Sequence, residues 1–173
     1  MEILVIGGTA SGKSEYAETL AMQYRPPRCY IATMMSGDAE SLTRIERHQK
    51  IRAEKGFITI ERYTDLAELR LPPCNTVLLE CLGNLVANEL FTPDGAGEWV
   101  AGTILSGFAA LRNQYGNLIV VTNDVFGDGN IYHNGTQRYL ETLGSLNRVL
   151  AERFDRVIEV VCGIPILLKG GIP

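Results

Sequence analysis

The sequence lacks the features that mark a nucleic-acid-binding or a membrane-spanning chain. It contains no run of lysine and arginine, and its formal net charge is −4. A protein whose main partner is nucleic acid needs a basic surface, so that class is disfavoured. No apolar run approaches the roughly 20 residues of a transmembrane helix. Because the first residues lead directly into an apolar strand without a secretory leader, we expect a cytoplasmic protein with no membrane span.

The cysteines lack the spacing of a thiol metal site or a redox motif. The four of them are Cys29, Cys74, Cys81 and Cys162, and no two form a Cys-x-x-Cys pair. Each lies in or beside an apolar run, as buried free thiols often do. This usage fits a reducing compartment.

The chain also lacks linkers, internal repeats and low-complexity segments. Its 173 residues are enough for a full core, and its 46% hydrophobic content is ordinary for a globular protein. We therefore expect one domain that spans residues 1–173.

One glycine-rich stretch fits the phosphate-loop pattern Gly-x-x-x-x-Gly-Lys-[Ser/Thr]. It consists of Gly7, Gly8, Thr9, Ala10, Ser11, Gly12, Lys13 and Ser14. An apolar strand precedes it, and a helix from Lys13 to about Met22 follows, which is the context that the motif requires. Such a loop turns its backbone N–H groups toward phosphate oxygens, while Lys13 reaches the β- and γ-phosphates and Ser14 binds Mg²⁺. The alternative is a glycine-rich turn with an incidental lysine.

Strands and helices alternate along the whole chain. The predicted strands are 3–6, 29–33, 57–61, 76–80, 118–124, 156–161 and 165–169, and the predicted helices are 13–22, 40–54, 64–71, 82–91, 98–115 and 136–154. Residues 126–135 are predicted to form a loop. Several strands are apolar on both faces, which indicates an α/β fold with a mostly parallel sheet flanked by helices on both faces. Ligands of such folds bind at the carboxyl ends of the strands.

Two predicted strands end in acids at that edge, Glu80 and Asp124. A site for a Mg²⁺-nucleotide needs a carboxylate beside the hydroxyl of Ser14 to hold the metal or its waters. Each acid could instead cap a neighbouring helix. With a phosphate loop present, Glu80 is the preferred metal residue.

The predicted helix 40–54 carries Arg44, His48 and Arg52 at intervals of four residues, so the three share one face. Two permanent cations favour the neutral form of an imidazole, whose lone pair can act as a nucleophile. The arginines could also hold nucleotide phosphates. Since glutamates share this helix, the residues alone favour a solvated, salt-bridged face.

Nine short motifs in order resemble one enzyme family. They are the phosphate loop, Tyr30–Thr33, Arg44-Ile45-x-x-His48, Thr59-x-Glu61, Leu78–Cys81, Asn84, Asn88, Thr122–Val125 and Gly144-x-x-Asn147. This pattern is similar to the bifunctional adenosylcobinamide kinase / adenosylcobinamide-phosphate guanylyltransferase family of cobalamin biosynthesis. The resemblance extends from Met1 to about Lys169.

The resemblance implies two reactions on a corrinoid. A nucleoside triphosphate phosphorylates adenosylcobinamide, and GTP then transfers GMP to adenosylcobinamide phosphate, giving adenosylcobinamide-GDP. It implies a RecA-like fold, a homotrimer and a guanylylated His48 as the intermediate, which reverses the preference stated above.

The residue patterns and the resemblance together assign the site residues. The predicted catalytic residues are His48, Lys13 and Glu80. The predicted nucleotide-binding residues are those of the phosphate loop together with Thr33, Arg44, Arg52, Glu61 and Glu80. The predicted ligands of Mg²⁺ are Ser14, Glu80 and Asp124.

The stretch after the fifth strand departs from the family pattern. Asp124 stands where the family has glutamate, and the glycines that follow are displaced. No Asn-Lys-x-Asp motif for guanine is present, so both ATP and GTP remain as substrates of the kinase step. Two alternatives stay open: another phosphate-loop small-molecule kinase, and a nucleotide-binding regulatory module without transferase activity.

Overall fold

The computed structural model describes residues 1–35, 49–125 and 133–171. Within them, seven strands form one sheet. Their bounds are Glu2–Gly7 (β1), Arg28–Ala32 (β2), Phe57–Glu61 (β3), Thr76–Glu80 (β4), Asn117–Asn123 (β5), Arg156–Val161 (β6) and Ile164–Lys169 (β7). The order across the sheet is β3-β2-β4-β5-β1-β6-β7.

The helices connect these strands. They are Lys13–Met22 (α1), residues 49–54 (α2), Leu82–Phe91 (α3), Val100–Leu111 (α4) and Asn134–Arg153 (α5). Short 3₁₀ turns occur at Leu66–Glu68, Gly97–Trp99 and Arg112–Gln114.

Alternation along the strands divides the core between two faces of the sheet. In β1, Ile3 and Val5 pack with residues of α1, whereas Leu4 packs with residues of α3, α4 and α5. All strand pairs from β1 to β6 are parallel, and β7 alone runs antiparallel to β6. The predicted α/β architecture, mostly parallel with helices on both faces, is confirmed.

The predicted helix 64–71 is wrong. Only Leu66–Glu68 is helical, as a 3₁₀ turn, and Asp65 before it has a left-handed backbone with φ 50°. The backbone N–H of Asp65 donates to the buried carboxylate of Glu89 at 2.7 Å. This tertiary bond fixes the entry to the segment in a non-helical conformation, which local propensity does not reveal.

Other differences are smaller. The predicted helix 98–115 is a 3₁₀ turn, the helix Val100–Leu111 and a second 3₁₀ turn, and α5 begins at Asn134 rather than at 136. The predicted helix 40–54 is described only over 49–54, and most of the predicted loop 126–135 lies outside the described residues. Across the described ranges, no helix combines the length and apolarity needed to cross a membrane.

Two glycines of α4 provide a matched stability test. A Cβ on Gly107 would lie 2.6 Å from Cβ of Leu66, whereas a Cβ on Gly102 would have no atom within 4 Å. We expect Gly107→Ala to lower the free energy of unfolding by about 1–3 kcal/mol through overpacking. We expect Gly102→Ala to raise it by up to about 1 kcal/mol through helix propensity. Urea denaturation of the two variants measures both, and equal effects would contradict the packing of α4 on the Leu66 turn.

Candidate active site

The phosphate loop connects β1 to α1 at the carboxyl edge of the sheet. Gly12 adopts φ 88°, a left-handed conformation that glycine tolerates, and it immediately precedes α1. Ala10 also has positive φ, at 56°. The Nζ of Lys13 donates to the carbonyl oxygen of Gly8 at 3.0 Å. The lysine therefore folds over its own loop, where its charge can meet a bound phosphate.

The turn between β6 and β7 supports this loop from beside it. The backbone N–H of Gly163 donates to the carbonyl oxygen of Ser11 at 2.8 Å. A Cβ on Gly12 would lie 3.2 Å from Cα of Gly163, and one on Gly7 would lie 2.6 Å from the carbonyl oxygen of Val160. Close approach of β6 thus excludes a side chain at Gly7, whereas at Gly12 the positive φ and the tight contact with the turn both favour glycine.

Strand register brings the predicted acids to the same edge as the loop. Ala32 at the end of β2 pairs with Glu61 on one side and with Glu80 on the other. The exposed Asp124 donates its backbone N–H to the carbonyl oxygen of Gly7 at 3.0 Å. Three acids separated in sequence therefore lie along one edge.

Tyr30 connects Glu80 to Arg52. Its hydroxyl donates to a carboxylate oxygen of Glu80 at 2.6 Å, and the guanidinium carbon of Arg52 lies 3.7 Å from the centre of its ring. Burial raises the pKa of Tyr30, and the negative charge of Glu80 raises it further. The phenol therefore stays protonated and keeps donating to the carboxylate. Arg52 also lies 4.0 Å from Glu18 on α1.

A cavity of about 180 Å³ opens at this cluster. Its lining residues are Tyr30, Ala32, Met34, Arg52, Glu61, Glu80, Cys81 and Asn84. Within residues 1–35, 49–125 and 133–171, the buried Nε of Arg52 has no hydrogen-bond partner, and the carboxylate of Glu18 lies 4.0 Å from it. A buried guanidinium nitrogen is costly to leave unpaired, so this arrangement favours a ligand that accepts a hydrogen bond.

The side chain of Thr33 hydrogen-bonds the backbone at the end of β4. Its hydroxyl accepts from the N–H of Cys81 at 2.7 Å and donates to the carbonyl oxygen of the same residue at 2.8 Å. Its side chain is fully buried. The carbonyl oxygen of Thr33 accepts from the side-chain amide of Asn88 at 2.8 Å. These bonds join the ends of β2 and β4 next to Ala32 and Cys81, which line the cavity.

Glu61 is bonded on both sides. The hydroxyl of Tyr63 donates to its Oε2 at 2.6 Å, and the side-chain amide of Gln49 on α2 donates to its Oε1. Arg44 and His48 lie outside the described residues, so their predicted roles stay predictions. Gln49 and Arg52 show that α2 faces the cavity.

Donors for a divalent cation are sparse in the described part of the chain, where no group of three or more His, Cys, Asp or Glu is close enough to hold a metal. Mg²⁺ commonly takes one or two protein ligands and completes its shell with phosphate oxygens and water. The hydroxyl of Ser14 and the carboxylates at the sheet edge could supply this small number of protein ligands.

A glycine-rich loop between a parallel strand and a helix, with acids at the ends of neighbouring strands, defines a P-loop nucleotide-binding protein. The family model described as cobinamide kinase / cobinamide phosphate guanyltransferase matches residues 3–168. The chain belongs to this family.

Two curated relatives match over nearly their whole length. The chain is 35% identical to the bifunctional adenosylcobalamin biosynthesis protein CobU of Escherichia coli (strain K12), covering 98% of this chain and 100% of that protein. It is 33% identical to the CobP protein of Pseudomonas aeruginosa, covering 98% of each chain. The predicted family and its transferase class are confirmed.

A solved structure is similar in fold. The flagellar accessory protein FlaH of Methanocaldococcus jannaschii matches with a TM-score of 0.56 and 13% sequence identity, over 98% of this chain and 78% of that chain. At this identity the likeness concerns the fold, and the predicted P-loop α/β fold is confirmed.

Three features of the site have no clear signal in the sequence. Tyr30 reads as a core aromatic in a buried strand, and Gly163 reads as a break between two strands. The hydroxyl of Thr33 is one of many near strand ends. Only the positions of Tyr30 and Thr33 within a family motif mark them out.

The bond between Tyr63 and Glu61 predicts a pH effect. The hydrogen bond to the Glu61 carboxylate raises the pKa of Tyr63 to about 12. Because the folded-state pKa is raised, the bond stabilises the fold fully below about pH 10 and is lost as pH rises through about 12. We expect Glu61→Gln to return this pKa toward about 10.

Titration followed by tyrosinate absorbance measures this shift. Between about pH 10 and 12, one more tyrosine should ionise in Glu61→Gln than in the wild type. Glu68→Gln, at an exposed glutamate of the 3₁₀ turn, is the control and should titrate as the wild type does. The Tyr63→Phe background should abolish the difference, and a difference that persists there would assign it to another tyrosine.

Proposed function

We propose that the chain phosphorylates adenosylcobinamide and then transfers GMP from GTP to adenosylcobinamide phosphate through a guanylylated His48. The observation that supports it most is the placement of the phosphate loop and the cavity at one edge of the sheet, in a chain of this family. The cavity offers the buried Nε of Arg52 and the carboxylate of Glu80, which suit a ligand with both acceptors and donors.

The first reaction is phosphoryl transfer. The hydroxyl oxygen of the aminopropanol group of adenosylcobinamide attacks the γ-phosphorus of ATP or GTP. The bond between the β–γ bridging oxygen and that phosphorus breaks, the nucleoside diphosphate leaves, and the hydroxyl proton passes to a base. Lys13 and the loop amides bind the phosphates and stabilise the charge that develops on them.

The second reaction proceeds through two displacements at the α-phosphorus of GTP. A neutral nitrogen of His48 attacks this phosphorus, forms an N–P bond and releases pyrophosphate. A phosphate oxygen of adenosylcobinamide phosphate then attacks the same phosphorus. The N–P bond breaks, the histidine regains its lone pair, and a diphosphate linkage joins GMP to the corrinoid.

We assign the remaining predicted residues to nucleotide binding or to the positioning of the site. Arg44 and Arg52 bind nucleotide phosphates or base acceptors, and Glu61 and Glu80 accept from the nucleoside. Thr33 acts as a positioning residue, since its hydroxyl is occupied by Cys81.

Mg²⁺ would be held by Ser14 with Glu80 or Asp124 and would neutralise phosphate charge. We propose that residues 1–173 act as one nucleotide-binding domain and that three copies assemble.

His48 is tested against the second histidine of the chain. Incubation with GTP labelled at the α-phosphate should give acid-labile, base-stable label on the wild type, because a phosphoramidate has that stability. His48→Ala should abolish the label, whereas His133→Ala, at an exposed residue before α5, should retain it. Full labelling of His48→Ala would exclude this histidine as the intermediate. Tight GTP binding without label would instead support a simple kinase.

Lys13 is tested through binding. Lys13→Ala should abolish the rise in melting temperature that GTP gives the wild type, since that rise reports ligand affinity. The melting temperature without nucleotide should change little, because the hydrogen bond that Lys13 makes in the described part of the chain goes to the carbonyl oxygen of Gly8 in its own loop. Arg153→Ala, at an exposed cation in the last turn of α5, is the control. An unchanged response in Lys13→Ala would contradict the phosphate-loop assignment.

A further inference from the structure

Glu18 lies on α1, one turn after the end of the phosphate loop. Ser14 and Glu18 are four residues apart, so they share one face of the helix and lie about 6 Å apart along its axis. α1 packs through Ala17 and Leu20 on the face of the sheet that also holds Tyr30. The side chain of Glu18 is only 14% exposed. A carboxylate buried to this extent needs partners of opposite charge.

The partners of Glu18 come from the end of α2. Nζ of Lys55, the residue that follows α2, donates to Oε2 of Glu18. The other carboxylate oxygen, Oε1, lies 4.0 Å from Nε of Arg52. One side chain of α1 therefore meets two cations from the end of α2.

The charge of Glu18 reaches Arg52 without occupying its donor. A separation of 4.0 Å is too long for a hydrogen bond, but it lets the carboxylate offset the charge of the buried guanidinium. Burial raises the pKa of Tyr30 most, Glu18 raises it further, and Arg52 acts to lower it, so the three groups lie close together. Within the described ranges, Nε of Arg52 stays available to a ligand in the cavity.

α2 also contacts the sheet through Gln49, whose side-chain amide donates to Glu61 at the end of β3. Among the described residues, the ion pairs between α1 and the end of α2 both come from Glu18. Glu18 therefore links the helix that starts at the phosphate loop to the segment that follows His48 in the chain.

We propose that Glu18 is a positioning residue that fixes the end of α2 against α1 and leaves Nε of Arg52 available to donate to the nucleotide. Guanylylation of His48 needs groups of α2 beside a triphosphate that is bound at the start of α1, so this step depends on the link. Transfer of the γ-phosphoryl group depends on Lys13 and the loop amides, which the link does not contact. The proposal rests on the proposed function, because it assigns Glu18 to one of the two reactions.

Glu18→Gln tests the link by removing the charge while keeping the shape of the side chain. The rate of label formation from GTP labelled at the α-phosphate should fall about tenfold at saturating GTP, since a hydrogen bond between charged groups and the compensation of Arg52 are both lost. The rate of γ-phosphoryl transfer to adenosylcobinamide should change by less than about twofold.

Lys55→Met removes the other member of the ion pair. The rate of label formation should fall by about fivefold, less than in Glu18→Gln, because Arg52 keeps its carboxylate. The double variant should be no slower than Glu18→Gln, because both substitutions remove the same interaction.

Hydrogen–deuterium exchange tests the docking of α2 without any reaction. In the absence of nucleotide, Glu18→Gln and Lys55→Met should each speed exchange of the backbone amides of residues 50–56 by about fivefold, since local opening of the segment becomes easier. Exchange in α4, which lies on the other face of the sheet, should not change.

The matched controls are two exposed residues of α2. Lys50→Met and Glu54→Gln remove the same charges from side chains at the surface. Both variants should keep the wild-type rate of label formation and the wild-type exchange of α2. Melting temperatures report the fold of each variant.

The outcomes separate the two proposals. If label formation and phosphoryl transfer fall together in Glu18→Gln, or if neither changes, the inference is overturned; unchanged exchange of α2 also overturns it. A wild type that neither labels nor phosphorylates adenosylcobinamide overturns the proposed function instead, and the exchange measurement still tests the link. If Glu18→Gln does not fold, the comparison of Lys55→Met with Lys50→Met gives the same test.

Discussion

The pairing of β1 with β5 and β6 is the constraint on which the rest of the site depends. Because β1 lies between two parallel neighbours, the position of its last residue, Gly7, is fixed at the carboxyl edge of the sheet. The phosphate loop starts at that position. The turn after β6 supports the loop through the backbone hydrogen bond from Gly163 to Ser11. The position of the loop is therefore set by the sheet, and its own residues determine only its shape.

The second half of the site is organised by a buried phenol rather than by the sheet edge alone. Tyr30 holds the carboxylate of Glu80 through its hydroxyl and the guanidinium of Arg52 through its ring. The carboxylate contacts the hydroxyl of the phenol and the cation contacts its ring face, so the two groups meet different parts of one side chain. Each can then meet a different part of a ligand, which suits a nucleoside that presents donors and acceptors together.

Much of the fold could be predicted from the sequence because the strands bury both faces and alternate with helices. Strands 57–61 and 76–80 and helix 82–91 have the bounds that their apolar patterns predict. The helix predicted over 64–71 failed because Glu89, distant in sequence, captures the N–H of Asp65. Within the site, the loop and Glu80 could be predicted from local pattern and topology. The roles of Tyr30 and Gly163 depend on contacts across the sheet that no local pattern encodes.

The bond between Ser11 and Gly163 has a consequence for biosynthesis. The ribosome makes the phosphate loop early, yet both strands that flank β1, and the turn that supports the loop, come from the later part of the chain. At about 5–20 residues per second, the emerging chain carries an unsupported loop for several seconds to about half a minute. Until β5 has been synthesised, neither strand that flanks β1 in the folded sheet exists, and both edges of β1 lack a partner. The bond from Gly163 to the phosphate loop can therefore form only after synthesis has passed β6.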